Sequence, residues 1–464
     1  MTKFKKALCL VIALVLCLSV AGCGGDKEAS VDEGVTVVSY WSPDTGSKAI
    51  MDPLIEEYNN TIGKEKGIKI EYKALADYGQ QIDLALESGV GPDIFKSVNT
   101  VMHGAKGYTI PLEDIEGGQE LLDQYEGFMY PGHFIDTVTG KHYSVPQGIT
   151  TYGLVYNKDM FVKAGIVDEN GEAKPPTTYA EMRECAKKLT NPAKKEYGIV
   201  YPEKWAGWFG SDVQNLVPAS TGTNNGYDPV TGEYDYSAYV SSMQLIIDMK
   251  KDGSVYPGGE SLDNDPARAR FAEGGIGMKF AASYDVAVFN SQFPCKFDWG
   301  VAPLPVEDAD NCYRQLMGAG GVGSINSQQS TRDKLDKVFE VYKWLQSSEL
   351  AKVCYAKGVS LPIRESDWEG VEVEEGLKGW EDFANIMKVS TFAPTETRKS
   401  SSPGSKSLLS IFLEEIYTGK ITPEEGCAKR TKLTNDGIKT YLEQYPDYDY
   451  TKYLVPEWPE LMKR

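Results

Sequence analysis

Val35 to Trp41 reads VTVVSYW, a β-branched and aromatic run with the composition of a buried strand. The next sixty residues decide the fold. Ile50, Leu54, Ile55 and Tyr58 recur at helical spacing, Ile68 to Tyr72 (IKIEY) alternates as a strand does, and Tyr78 to Leu86 has helical composition. Pro92 to Phe95 (PDIF) then ends a glycine-rich turn as another short strand. The order β-α-β-α-β predicts a mostly parallel sheet with helices on both faces. Later segments keep this style. Thr178 to Glu181 (TYAE) and Thr422 to Glu425 (TPEE) are capping-box sequences and open helices. Phe297 to Leu304 (FDWGVAPL) and Gly318 to Ile325 (GAGGVGSI) read as strands, and the glycines at 274, 275 and 277 as a turn before one. Trp344, at helical spacing with Phe339, Val341 and Leu345, is expected in the core, as is Trp299.

The chain has 464 residues, 41% of them apolar, enough for two or three folding units with large cores. Its 48 basic and 67 acidic residues give a net charge of −19, which disfavours a nucleic-acid binder, because phosphate tracking needs clustered Lys and Arg. The acid excess fits neutral or cationic ligands. Three histidines, His103, His133 and His142, leave little material for an imidazole metal centre. No nucleophile elbow, zincin helix or Walker loop is present, although 67 carboxylates leave a glycosidase pair open.

At the start, Lys3, Lys5 and Lys6 precede an apolar run from Ala7 to Leu18, too short to span a bilayer and of secretory-signal form. Val20-Ala21-Gly22-Cys23 resembles the bacterial lipobox, with Val20 where that pattern usually has Leu. The expectation is a signal peptide over residues 1–22, lipid on Cys23 and a flexible tether over 23–34, which places the mature chain on the outer face of the cytoplasmic membrane. Of eight cysteines, five remain in the folded part, without metal-ligand spacing. Cys295 and Cys312 flank a possible strand pair and could form a disulfide.

Five segments in order, Leu84 to Phe95 (LALESGVGPDIF), Tyr143 to Gly165 (YSVPQGITTYGLVYNKDMFVKAG), Pro176 to Leu189 (PTTYAEMRECAKKL), Phe271 to Met278 (FAEGGIGM) and Val338 to Glu349 (VFEVYKWLQSSE), resemble the family 1 extracellular solute-binding proteins, receptors of carbohydrate ABC importers. The resemblance implies a two-lobed, periplasmic-binding-protein-like (type II) α/β fold that closes on ligand by hinge motion. Crossings are expected near Pro146 to Gly153, Leu316 to Gly320 and Ser366. The first lobe would then comprise residues 35–148 and 317–366, and the second 149–316 and 367–464. A monomeric, non-catalytic receptor with a carbohydrate ligand, a permease partner and no cofactor or metal is implied.

A pyranose offers an apolar CH face and a ring of hydroxyls, so its receptor needs aromatic plates together with directed acceptors and donors. Trp41 and Asp44 follow the first strand, at the end where open α/β sheets hold ligands. Trp41 is read as a plate, or else as a cap on the core, and Asp44 as a hydroxyl acceptor. Tyr78 begins the second helix. Asn99 aligns with a sugar-contacting position of the family, although the aromatic usual three residues earlier is here Lys96. Trp205 and Trp208 lie in an aromatic loop (KWAGWFGSD) like the family's stacking wall, Tyr284 matches a cleft aromatic with Asp285 beside it, and Tyr152 lies at the first crossing. The competing readings are a secreted glycan-active enzyme, a receptor for a non-sugar solute, and an adhesin or sensor subunit with the same fold.

Overall fold

The computed structural model describes residues 34–97, 100–130, 134–136, 139–320, 323–394, 406–451 and 454–464. The expected signal peptide, Cys23 and the tether to residue 33, together with Asn99 and His133, lie outside the described residues. The chain opens with β1 (Thr36–Ser42), α1 (Lys48–Asn60), β2 (Ile68–Ala74), α2 (Tyr78–Glu87) and β3 (Ile94–Lys96). Next come β4 (Gly148–Thr150), β5 (Tyr152–Asn157), α3 (Tyr179–Leu189), β6 (Tyr197–Ile199), α4 (Trp208–Asp212) and α5 (Val240–Lys251). The remaining strands are β7 (Ile276–Ala282), β8 (Trp299–Ala302), β9 (Gln315–Leu316), β10 (Gly318–Gly320), β11 (Gly323–Ile325) and β12 (Ser390–Thr391). Interleaved with the last of them are α6 (Leu335–Leu345), α7 (Ser348–Ala356), α8 (Trp380–Ile386) and α9 (Pro423–Gln444).

Two four-stranded sheets organise these elements. The first has the order β11-β3-β1-β2. In it β1 runs parallel to both β2 and β3, and β11 closes the edge antiparallel. Alternate residues Val38, Ile70, Ile94 and Ile325 are fully or almost fully buried. At the head of β3 the buried Asp93 carboxylate accepts from the Ser39 amide and hydroxyl (both 2.8 Å), the Thr331 hydroxyl (2.9 Å) and the Lys334 ammonium (2.8 Å). A carboxylate this far from water is tolerable only when so fully satisfied. The second sheet, β6-β7-β5-β8, is mixed. Only β6 and β7 pair in parallel, while β5 pairs antiparallel with β7 and β8, so the parallel expectation holds in the first sheet and not here.

Between the sheets runs a short antiparallel ladder, β4 against β10, with Ile149 facing Ala319 and its amide donating to the Leu361 carbonyl at 2.8 Å. Beside it β9 pairs in parallel with β12. The glycines here serve close approach rather than unusual torsions. A Cβ on Gly318 would stand 3.2 Å from the Tyr152 hydroxyl, and one on Gly148 would stand 3.1 Å from Ser360 Cβ. The Gly318–Ile325 run, read from sequence as one strand, is two strands, β10 and β11. Cys295 and Cys312 are free thiols, so the disulfide considered for them is not formed. Among the described residues no helix is long and apolar enough to cross a membrane.

Candidate functional site

Strand periodicity sets the first wall of the site. Successive side chains of β1 point to opposite faces, so Tyr40 and Ser42 share one face and Trp41 takes the other. On the Tyr40 face lies a cavity of about 480 Å³. Tyr40, Ser42, Asp44, Tyr72 and Lys96 line it from the first sheet, Gln147 to Thr150 from the crossing ladder, and Ser283, Tyr284 and Asn290 from beyond β7. Tyr40 stacks on Tyr72, ring centroids 5.2 Å apart. Burial pushes the Tyr40 phenol well above its usual range and Tyr72 up to about 12, so both stay neutral hydroxyls able to donate and accept. The Asp44 carboxylate accepts from Ser42 Oγ at 3.1 Å and is ion-paired with Lys96.

Across the cavity Tyr284 is 53% exposed, with the Arg268 guanidinium 5.9 Å from its ring centroid. A cation behind an exposed aromatic face leaves the other face free for stacking.

A second cavity, about 780 Å³, is lined by Leu316 to Gly318 and Tyr152 at the crossing, and by Phe209, Tyr227, Tyr234, Tyr236 and Tyr239. The rings form a ladder: Tyr227 to Tyr234 and Tyr234 to Tyr236 at 5.3 Å, Tyr236 to Tyr239 at 5.9 Å and Tyr239 to Phe209 at 6.0 Å. Amides of Gln214, Asn215, Asn224 and Asn225 line the same cavity. Asn225 holds a left-handed φ of 53°, and its buried side-chain carbonyl has no hydrogen-bond partner among the described residues. Burial raises the Tyr152 phenol and keeps it protonated.

The residues expected at the site divide sharply. Asp44 and Tyr284 meet at the first cavity, and Tyr152 lines the second. Trp205 is half-buried with its ring lying over Gly207; Gly207 lines the second cavity and Trp205 itself lines neither. Trp41 belongs to neither. Its ring turns to the opposite face and packs with Tyr78, Ile82, Leu86 and Phe95 under the Lys73 ammonium, so the cap reading replaces the plate. Tyr78 is buried in that same cluster and donates to the Trp41 carbonyl at 3.2 Å. Trp208 is 1% exposed and wedged among Tyr201, Phe412 and Tyr417. It is core, because α4 turns Phe209 rather than Trp208 toward the cavity. Asp285 is 2% exposed, its two oxygens taken by Arg268 and the Ala282 amide (3.0 Å), so it holds a turn and is not presented to a ligand.

Tyr40, Tyr72, Lys96 and the tyrosine ladder were missed. The alternation of VSYWS was signal enough for Tyr40, and the density of tyrosine from 227 to 239 for the ladder.

One further constellation arises outside the cavities. His103, fully buried, lies 2.8 Å from Ser97 Oγ through Nδ1 and 2.8 Å from Asp83 Oδ1 through Nε2. Neither Ser97 nor His103 lines either cavity described above, and the chain of contacts braces the end of β3 against α2.

Two α/β lobes, joined by crossing strands and sharing a cavity rich in rings and hydroxyls, define a bilobal solute receptor of the periplasmic-binding-protein type. The chain belongs to the family of bacterial extracellular solute-binding proteins, whose sequence profile spans residues 42–352. Among curated relatives, the sn-glycerol-3-phosphate-binding periplasmic protein UgpB of Yersinia enterocolitica is 25% identical over 413 residues, 84% of this chain and 90% of that protein. Its Escherichia coli K12 counterpart is 25% identical over 429 residues, 88% and 94% of the two chains. Among solved structures, the maltose/maltodextrin-binding domain MalE of Bdellovibrio bacteriovorus bound to maltotriose superposes with a TM-score of 0.62 at 17% identity, over 87% of this chain and all of that one. The GacH receptor of Streptomyces glaucescens gives 0.63 at 19%, over 88% and 99%. These structural likenesses speak to the fold.

Proposed function

We propose that this protein captures a mono- or oligosaccharide between its lobes and delivers it to the permease of an ABC importer, as a non-catalytic monomer held to the membrane by lipid on Cys23. The observation that carries the reading is the first cavity, where Asp44, Lys96 and the Tyr40–Tyr72 pair face the exposed ring of Tyr284 from the other lobe. A sugar seated there touches both lobes at once and so favours their closure. The rings and amides of the second cavity support an extended ligand, with Tyr152 at the crossing. The lobe division at 35–148 with 317–366, and 149–316 with 367–464, is consistent with the β4–β10 ladder, though the bridge at Leu361 precedes the expected third crossing at Ser366. What supports capture for transport is the family itself; what supports a sugar is the lining.

A thermal-shift screen of the purified protein against mono- and oligosaccharides tests this. A ligand at 100 times its dissociation constant stabilises the native state by about 2.7 kcal/mol, a readily visible shift. Recovery of the sugar unchanged supports the receptor; cleavage would favour the glycan-active enzyme. A shift only with sn-glycerol 3-phosphate would transfer to this chain the ligand for which its curated relatives are named. Lipid on Cys23 is read by mass spectrometry of the membrane fraction, and Cys23→Ala should release the protein.

A further inference from the structure

The first cavity has the fittings of an anion site. Helix α1 runs for 13 residues and points its N-terminus at the cavity through Ser47, which lines it. Such a terminus attracts negative charge. Lys96 lines the same cavity, its side chain only 15% exposed and therefore weakly screened by water. A phosphate or carboxylate on a ligand would be drawn there.

That position is taken. Asp44 immediately precedes the 3-10 turn Thr45–Ser47 that leads into α1, and its carboxylate is ion-paired with Lys96 while accepting from Ser42. The other cations on the cavity wall are answered as well. Among the described residues, Arg364 is bound to Asp367 at 2.8 Å and Lys357 is ion-paired with Glu374. An incoming phosphate would have to displace Asp44 and then sit against its negative charge. An uncharged diol needs no displacement, because the ammonium keeps donors and the carboxylate keeps acceptors for neighbouring hydroxyls.

We propose that Asp44 is a built-in anion that fills the helix-and-lysine end of the cleft, so that this receptor selects uncharged polyhydroxy ligands and rejects phosphorylated or acidic ones. The proposal rests on the reading of this cavity as the ligand site, and it parts this chain from the ligand named for its curated relatives. It also assigns a role to Lys96, the cation that Asp44 neutralises.

The test measures binding of maltotriose, raffinose, D-tagatose, sn-glycerol 3-phosphate and glucose 6-phosphate to the wild-type protein, Asp44→Asn and the double variant Asp44→Asn/Lys96→Met, by calorimetry and thermal shift. The wild type should respond to no phosphate. Asp44→Asn should gain at least about tenfold in affinity for one or both phosphates, in a salt-sensitive manner, and the double variant should lose the gain; Asp44→Ser replaces Asp44→Asn should the latter misfold. Tight binding of glycerol 3-phosphate by the wild type, unchanged in Asp44→Asn, overturns the proposal. So does sugar binding by the wild type with no phosphate gain in either Asp44 variant. A phosphate gain in a protein that binds no sugar would uphold the built-in anion while removing the sugar reading, so the two failures are told apart.

Discussion

Tyr284 and Asp285 are neighbours in sequence and opposites in the structure: the ring is half exposed in the cleft, and the carboxylate is buried against Arg268. Trp208 and Phe209 are both buried, but only Phe209 lines a cavity. Substitution should separate the two kinds. Tyr284→Ala is expected to weaken ligand binding about tenfold or more by removing a stacking face, with the melting temperature of the free protein unchanged. Trp208→Ala should instead cost about 3–5 kcal/mol of stability, as large core truncations do, and alter affinity only through that loss. Chemical denaturation and calorimetry on the two variants check this, and equal melting temperatures would contradict the core assignment of Trp208. A second residue, Asp212, makes pH the probe. It is fully buried, near Lys279 and Asp285, and burial raises its carboxyl to about 7. An unfolded Asp ionises near 3.9, so between about pH 4 and pH 7 the native state holds a proton that the unfolded chain has lost. Stability contributed by this group is therefore full below about pH 4 and falls as pH rises to about 7. Asp212→Asn should flatten that slope and be the more stable form at pH 8, by at most about 4 kcal/mol, with no gain at pH 4. Urea melts across the range measure it.

At the scale of elements, close packing leaves a sharper mark than hydrophobic pattern. Gly198 sits in β6 where a Cβ would stand 2.5 Å from Ala186 Cα and carbonyl oxygen, so strand and α3 meet backbone to backbone. Gly198→Ala should destabilise by about 1–3 kcal/mol, while Gly210→Ala, with open space around it, should change little; equilibrium unfolding of the pair decides. Elements whose signal is local were legible in the sequence. The strand read from Val35 is β1, and the TPEE box at Thr422 is complete, with Thr422 and Glu425 exchanging hydrogen bonds at the head of a 22-residue helix. At Thr178 only half of the box forms, because the Glu181 side chain reaches the Thr177 amide instead. Facing was harder to read. A tryptophan after a strand looks like a plate, but a shift of one residue along β1 reverses the face, and the residue before it, Tyr40, lines the cavity. The mixed second sheet was illegible for a related reason: buried parallel and antiparallel strands share an apolar composition, and only the connections between them differ.

For the whole molecule the question is what closure moves. On the proposed division the lobes meet at β4–β10 and at the bridge at Leu361, a few residues each, while the β9–β12 pair lies within the second lobe. Gln315 locks this region to the second lobe. It is 2% exposed, donates to the Tyr152 carbonyl at 2.6 Å and accepts from the Leu304 amide at 3.2 Å, so β9 is fastened to the start of β5 and the end of β8. On the proposed two-lobe reading a closing bend is expected to fall on the ladder beside it rather than on β9, since a buried side chain satisfied at both ends resists displacement by about 1–3 kcal/mol for each group left unpaired. Gln315→Leu removes the lock while keeping an apolar volume. The expected result is a protein about 1–3 kcal/mol less stable, whose unliganded scattering profile gives a larger radius of gyration and whose ligand affinity falls because more ordering accompanies closure. The wild type should contract on adding a saturating sugar, and Tyr284→Ala should not contract at the same concentration. Small-angle scattering of the three proteins with and without ligand provides the readout. Contraction of Tyr284→Ala to the wild-type value at low occupancy would show that closure does not depend on a ligand bridging the cavity, and the link between the cleft lining and the hinge would fall.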